Sequence, residues 1–330
     1  MKKSFILLLL LSLSLMFSGC STSGTKDKTV VFADAGWDSI QLHNAVAGYV
    51  LEKGFGFTWS QVTGSTAITY QALKDGEIDV YMEVWTDNLA PYNQDLAAGL
   101  FDEYGVNYDD NAQGLYVPRY VIEGDAARGI VASAPSLVTV ADLKNYPEVF
   151  KDDEDPSKGR VYGGIPGWEV DKILFNKYNY YGLDENFVYF RPGSEAALTS
   201  VLSAAYEKGD AIVGYYWDPT WMLAKYDFVK LEDAPYSEMD FKEGKTAFAA
   251  VKVTVAARKD FDTEYPDAAA FLKKYSTTSA LNSQMLLHMQ ETGDNVVKTS
   301  IWFMKQHPEL LTAWLNAKEL ALVNKALEAE

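Results

Sequence analysis

A chain of 330 residues with 48% hydrophobic content is long enough to bury a large core and to divide into two lobes. Its formal net charge of −17 at pH 7 argues against nucleic acid or an anionic membrane surface as a partner, and it fits attraction of cations. With one cysteine and three histidines, the chain has no internal disulfide and few groups for catalysis or metal ligation.

The chain opens with Met1-Lys2-Lys3 and an apolar run from Phe5 to Phe17. That run is short for a membrane span and right for the h-region of a signal peptide. It leads into Phe17-Ser18-Gly19-Cys20, which resembles the lipobox of bacterial lipoproteins, with Phe17 where Leu is more usual. The resemblance implies a signal peptide over 1–19, cleavage before Cys20 and a lipid on its sulfur. Residues 20–28 then form the lipidated cysteine and a small, polar tether. The protein is thus expected to be exported and held on the outer face of a bacterial cytoplasmic membrane.

Beyond the tether, Thr29 to Ala35 reads as a buried strand, followed by a helix with Ile40, Val46, Val50 and Leu51 on its apolar face. Asp38 or Ser39 is the expected N-cap of that helix. A strand over Phe55 to Val62, a helix over Ser65 to Lys74 and a strand over Ile78 to Val84 complete a β-α-β-α-β unit. Gly114 to Ile122 reads as an extended crossing strand, and Val138 to Phe150 as a helix. The acidic loop Lys151 to Pro156 lacks the alternating ligands and glycine of a calcium loop. Strands are expected at Val161 to Gly167, Phe187 to Phe190 and Ala211 to Trp217, with helices between them. A return strand over Ala247 to Ala257 precedes helices that run to the end and pack on the first lobe. No internal repeat is visible.

Tryptophans recur where strands give way to helices. Trp37 follows the first strand, Trp85 the third, Trp168 follows Val161 to Gly167, and Trp217 ends Ala211 to Trp217. In open α/β sheets the carboxyl rim of the strands is where ligands bind. After Trp217, Asp218 is expected to accept from the amides of a new helix and Pro219 to take its first position. Several indoles without a guanidinium or catalytic histidine suit a cation that cannot donate hydrogen bonds, held through its attraction to ring faces.

Three motifs carry a family resemblance: Glu83-Val84-Trp85-Thr86, Ile165-Pro166-Gly167-Trp168 and Tyr216-Trp217-Asp218-Pro219-Thr220-Trp221. From about Thr29 to Leu315 the chain resembles the glycine betaine/proline betaine-binding proteins of ABC importers. The resemblance implies a type II periplasmic-binding-protein fold, α/β, with two lobes joined by two crossing strands. Residues 29–121 plus 249–330 are the expected first lobe and 122–248 the second, with hinges at Tyr116 to Val121 and Thr246 to Val251. Trp85, Trp168 and Trp217 are implied to cage a trimethylammonium group, and Trp37 and Tyr116 to add walls, as in the related choline-binding branch. The backbone amides of Glu169 and Val170, at the start of a helix, are implied to receive a carboxylate. Leu89 stands where some betaine binders carry a histidine, and the Glu169 side chain would repel a carboxylate if it faced inward. Glycine betaine is the leading ligand, with choline or carnitine as alternatives and a sugar-binding lipoprotein as a further class. An ABC permease is the expected receiving partner of a monomeric protein without cofactor or metal. No zinc-protease, nucleophile-elbow or phosphate-loop pattern is present, so the chain is not expected to be an enzyme.

Overall fold

The computed structural model describes residues 28–330, so the signal peptide and the lipidated Cys20 lie outside the described residues. Strand β1 (Thr29–Asp34), helix α1 (Asp38–Phe55), β2 (Thr58–Thr63), α2 (Thr66–Asp75) and β3 (Val80–Trp85) form the opening unit. A 3-10 turn at Thr86–Asn88, α3 (Tyr92–Ala97) and β4 (Phe101–Tyr108) complete the outward half of the first lobe. The chain then crosses into β5 (Ala112–Pro118), α4 (Arg119–Glu123) and a 3-10 segment at Val140–Asn145. A second β-α-β-α-β unit follows: β6 (Gly159–Tyr162), α5 (Glu169–Tyr180), β7 (Phe187–Phe190), α6 (Glu195–Lys208) and β8 (Gly214–Asp218). Short elements α7 (Trp221–Lys225), β9 (Phe228–Lys230) and α8 (Glu238–Phe241) close the second lobe.

After crossing back, β10 (Val253–Arg258) is followed only by helices. These are α9 (Phe261–Glu264), α10 (Pro266–Leu272), α11 (Ser279–Thr292), α12 (Val296–Gln306), α13 (Pro308–Trp314) and α14 (Ala317–Ala329). The two sheets run β2-β1-β3-β10-β4 and β7-β6-β8-β5-β9. In each, three parallel strands carry the β-α-β-α-β unit, and the fourth strand, antiparallel, is the one that has just crossed from the other lobe. Helix α1 is buried almost all round because one side lies on the first sheet and the other under α12 and α14. Val30, Phe32, Leu42 and Val46 there share a core with Phe303, Leu311, Trp314 and Val323.

The lobe boundary differs from the expected one. Strand β5 pairs with β8 and β9, so residues 112–118 belong to the second sheet and the first crossing lies at 109–111. Alternation in the sequence marks a strand, but it does not say which sheet that strand joins. The return strand begins only at Val253, because residues 247–252 span the gap between lobes. The two crossings are tied side by side. Asn111 Nδ2 donates to the Val251 carbonyl at 2.6 Å and Asn111 Oδ1 accepts from the Val251 amide at 2.9 Å. Strand β4, absent from the sequence reading, has a polar, half-exposed pattern, Asp102, Glu103 and Asn107 interrupting its apolar residues.

The helix expected over Val138 to Phe150 is reduced to the 3-10 segment: Asp142 Oδ2 accepts from the Thr139 amide at 2.8 Å, and Pro147 disfavours helical conformation at Tyr146. In the acidic loop, Asp152 is committed to Arg160 at 2.6 Å and to the amides of Glu154 and Asp155, both at 2.7 Å.

Candidate functional site

The carboxyl ends of β1, β3, β6 and β8 face one another across the cleft between lobes. Trp37, Trp85, Trp168, Trp217 and Tyr215 line a cavity there that encloses about 470 Å³ including its open part. Tyr81, Thr66, Asn88, Leu89, Glu169 and Val170 complete the lining, which among the described residues contains no Lys, Arg or His. The rings brace one another. Trp37 of the first lobe meets Trp168 of the second edge-on, centroids 5.4 Å apart, and Trp168 meets Trp217 edge-on at 5.2 Å. Tyr215 stacks behind Trp217 at 5.7 Å and 26°.

Local geometry explains how the indoles arrive there. Gly36 and Gly167, with φ of 90° and 91°, precede Trp37 and Trp168 and turn the chain in a region that L side chains avoid. Each tryptophan then occupies the N-cap of a helix, α1 or α5, without supplying a side-chain acceptor. The first amides of α5 are those of Glu169 and Val170, and helix geometry leaves such amides without intrahelical partners. The Glu169 carboxylate is held by Lys172 at 2.7 Å.

Beneath the first-lobe wall lies Glu83, wholly buried on β3 between the lining residues Tyr81 and Trp85. Its Oε1 accepts from Tyr108 Oη at 2.6 Å, Ser39 Oγ at 2.9 Å and Trp85 Nε1 at 3.1 Å. Burial pushes its pKa up to about 7, against the pull of the donors Tyr108, Trp37, Ser39 and Trp85. A second buried acid, Glu195 of α6, accepts from the Asp38 amide of α1 at 2.9 Å, a bond between lobes. Burial, followed by the charge of Asp38, holds Glu195 well above the usual carboxylate range. Asp38 is itself raised by burial and by Asp34.

Of the residues singled out by sequence, Trp37, Trp85, Trp168, Trp217, Glu169 and Val170 meet at this cavity, and Tyr116 does not line it. Tyr116 pairs in register with Gly214, whereas Leu115 pairs with Tyr215 and Gln113 with Trp217. Strand alternation therefore places Tyr116 on the opposite face, and Tyr215 stands at the cavity instead. Counting two residues back from Trp217 along β8 would have found it. Thr66 and Asn88 had no such signal.

Neither Asp38 nor Ser39 caps α1, since Trp37 occupies that position and Ser39 turns to Glu83. Asp218 does not cap α7 either. The Asp218-Pro219 bond is cis, and Thr220 is the cap, its hydroxyl accepting from the Leu223 amide at 3.3 Å. Trp221, on α7, does not line the cavity and packs against both the second-lobe core and that of the C-terminal helices.

Residues 28–306 match the family described as the substrate-binding domain of ABC-type glycine betaine transport systems, and the chain belongs to that family. The family is one of transport proteins, not enzymes. The chain is 25% identical over 232 residues to the glycine betaine-binding periplasmic protein OusX of Dickeya dadantii, covering 63% of this chain and 68% of that one. Among solved structures it is similar to the glycine betaine, L-proline transporter binding protein ProX of Borrelia burgdorferi. The TM-score is 0.71 at 21% identity, over 90% of this chain and 100% of the other. An ABC-transporter choline-binding protein in complex with choline gives the same TM-score and identity over 91% and 98% of the two chains. These structural likenesses bear on the fold, two α/β lobes of the type II periplasmic-binding-protein kind.

Proposed function

We propose that this family member captures glycine betaine, or a related trimethylammonium compound, in the cavity between its lobes and delivers it to an ABC import permease. The observation that carries this reading is the convergence of four indoles, two from each lobe, on a space without a cationic side chain. A trimethylammonium group offers no N–H, so ring faces rather than hydrogen bonds must hold it, each contributing roughly 0.5–2 kcal/mol. Such rings together with buried methyl area reach the roughly −8 kcal/mol of a micromolar site. The free amides of Glu169 and Val170 suit the carboxylate of a betaine. The Lys172 partner of Glu169 offsets the repulsion its side chain would exert on that carboxylate. A second reading, choline, is favoured by Glu83, a buried carboxylate behind the cage that a full cation satisfies better than a zwitterion.

Calorimetric titration with glycine betaine, proline betaine, carnitine, choline and several sugars tests the reading. Saturable binding of at least one quaternary ammonium compound and none of the sugars is expected. Binding of sugars alone overturns it.

Two further parts of the proposal concern closure and anchoring. The lobes rotate about the paired crossings at 109–111 and 247–252. Saturating ligand should therefore reduce the radius of gyration in small-angle scattering, and identical profiles refute the hinge. The chain works as a monomer held outside the cytoplasmic membrane by a diacylglyceryl group on Cys20, whose two chains suffice for stable attachment. Cys20→Ser should abolish labelling by radioactive fatty acid, and unchanged labelling rules the anchor out.

A further inference from the structure

Among the described residues, Glu83 has no counter-ion. Its three good donors all reach Oε1, while Oε2 and Trp37 Nε1 are each buried without a hydrogen-bond partner, although Trp37 lies close enough to act on the carboxyl. No lysine or arginine is among the groups that act on it. Such a carboxylate is in conflict. Burial favours the protonated form, yet the indole N–H groups of Trp85 and Trp37 can only donate and so favour the ionised acceptor. Both of those indoles line the cavity, and Glu83 sits between the lining residues Tyr81 and Trp85 on one face of β3.

We propose that Glu83 is the positioning residue of the cage: its ionised carboxylate turns the Trp85 and Trp37 indoles edge-inward and face-outward, and a bound cation supplies its missing countercharge. The inference rests on the trimethylammonium reading above and deepens it. A cation in the cavity favours the ionised form, so part of the population loses the Glu83 proton to solvent as ligand enters. In return the charge behind the two rings strengthens their attraction for the cation, in a region where water does not screen it.

Of the titratable groups around Glu83, the tyrosines and His43 stay neutral near pH 7, and Glu195 is the other strongly raised carboxyl. Tyr108 on β4 is held far above its usual range by burial and by Glu83 itself. Tyr275, before α11, and Tyr81, on β3, are raised by burial and then by the Glu83 charge, with Asp34 also acting on Tyr81. His43 of α1 stacks on Tyr108 at 6.1 Å and bonds Tyr275 Oη at 2.8 Å. Burial drives it down to about 3, so it stays neutral. Glu195 faces the same region from the second lobe, with Asp38 beside it.

The sign follows. Glu83 in the ligand-free protein titrates near 7, and a cation lowers that value. Affinity is therefore weak while Glu83 is protonated in both states, rises with pH through the interval between the two values, and levels off above the higher one. The rise is about tenfold for each unit by which ligand lowers the pKa. Choline is the probe, because it has no group that titrates between pH 5 and 9, with glycine betaine beside it.

Calorimetry across that range should show the rise for wild type, together with proton release measured in two buffers of different ionisation enthalpy. Glu83→Gln, which keeps an acceptor for the indole, should bind weakly with a flat profile, and Glu195→Gln should keep the rise. A flat profile without proton release in wild type overturns the inference while leaving the ligand reading intact, and it does so even if Glu83→Gln does not fold. Transfer of the rise to Glu195, seen as its loss in Glu195→Gln, overturns it as well. Absence of binding by either compound at every pH overturns the ligand reading, and this inference with it.

Discussion

The two lobes are built on the same β-α-β-α-β unit, and each offers the cleft two tryptophans from equivalent places. Gly36-Trp37 precedes the first helix of one unit and Gly167-Trp168 the first helix of the other, with nearly equal glycine φ of 90° and 91°. Trp85 ends the third strand of the first unit, and Trp217 stands one residue from the end of the third strand of the second. The lobes differ two residues earlier. Behind Trp85 lies Glu83, a buried acid. Behind Trp217 lies Tyr215, a ring whose hydroxyl donates to Gln113 Oε1 at 3.0 Å. One wall is backed by charge and the other by aromatic surface, so similar ring positions have different electrostatics.

The largest effect should come from removing rings. Trp217→Ala or Trp168→Ala loses both the cation–π attraction, about 0.5–2 kcal/mol, and buried methyl contact at about 25 cal/mol per Å². Binding of glycine betaine or choline should weaken by about one to two orders of magnitude, each 1.4 kcal/mol being roughly tenfold. Trp217→Phe should lose less, since a face remains. If Trp85, Trp168 and Trp217 can each become Ala with affinity intact, by calorimetry on variants with normal thermal melts, the wall assignment fails on both lobes.

The charge-backed wall should also show in stability, with a sign opposite to its effect on affinity. Burial raises the folded pKa of Glu83 to about 7, above its unfolded value near 4.5, so the folded state binds the extra proton more tightly. Its contribution to stability is therefore present below about pH 4.5 and is lost as pH rises through about 7. Thermal melts of ligand-free protein should show Glu83→Gln gaining stability relative to wild type over that interval, while Tyr215→Phe shows no such pH dependence. A Glu83→Gln difference that is constant with pH would remove the contrast between the walls.

The equivalent glycines sharpen the comparison further. At either position alanine must adopt a positive φ, at a cost of roughly 1–2 kcal/mol. A Cβ on Gly36 meets nothing within 4 Å, but one on Gly167 lies 3.0 Å from Ser65 Cβ on the opposite lobe. Both variants should melt lower by similar amounts, and Gly167→Ala alone should lose several-fold in affinity because it presses against closure. Equal affinity losses in the two would show that only backbone strain matters. The smallest effect should be at Trp314 and Trp302. Trp314 stacks on Tyr275 at 4.5 Å, and Trp302 on His288 at 3.7 Å, both in the C-terminal helical layer. Trp314→Phe and Trp302→Phe should alter melting temperature and leave affinity unchanged.

Much of this was legible in the chain. Apolar runs such as Val30-Val31-Phe32 and the spacing of Ile40, Val46 and Val50 determine strand and helix locally. The junction tryptophans follow because a residue between strand and helix must lie at the carboxyl rim. Motif order was enough to point to the family. Local pattern says nothing about pairing partners, however, so the sheet to which β5 belongs, and with it the position of the first crossing and the face on which Tyr116 lies, came only from the hydrogen-bonded register. The Gly36-Trp37 and Gly167-Trp168 pairs were visible as letters, but their common glycine φ and the meeting of their indoles across the cleft had the same limit. Glu83 was visible as a letter in a strand, but its meaning depends on Trp37 and Ser39 from the start of α1 and Tyr108 from β4 arriving from two other places in the chain. Burial and missing countercharge are properties of that assembly, and only the tertiary structure decides them.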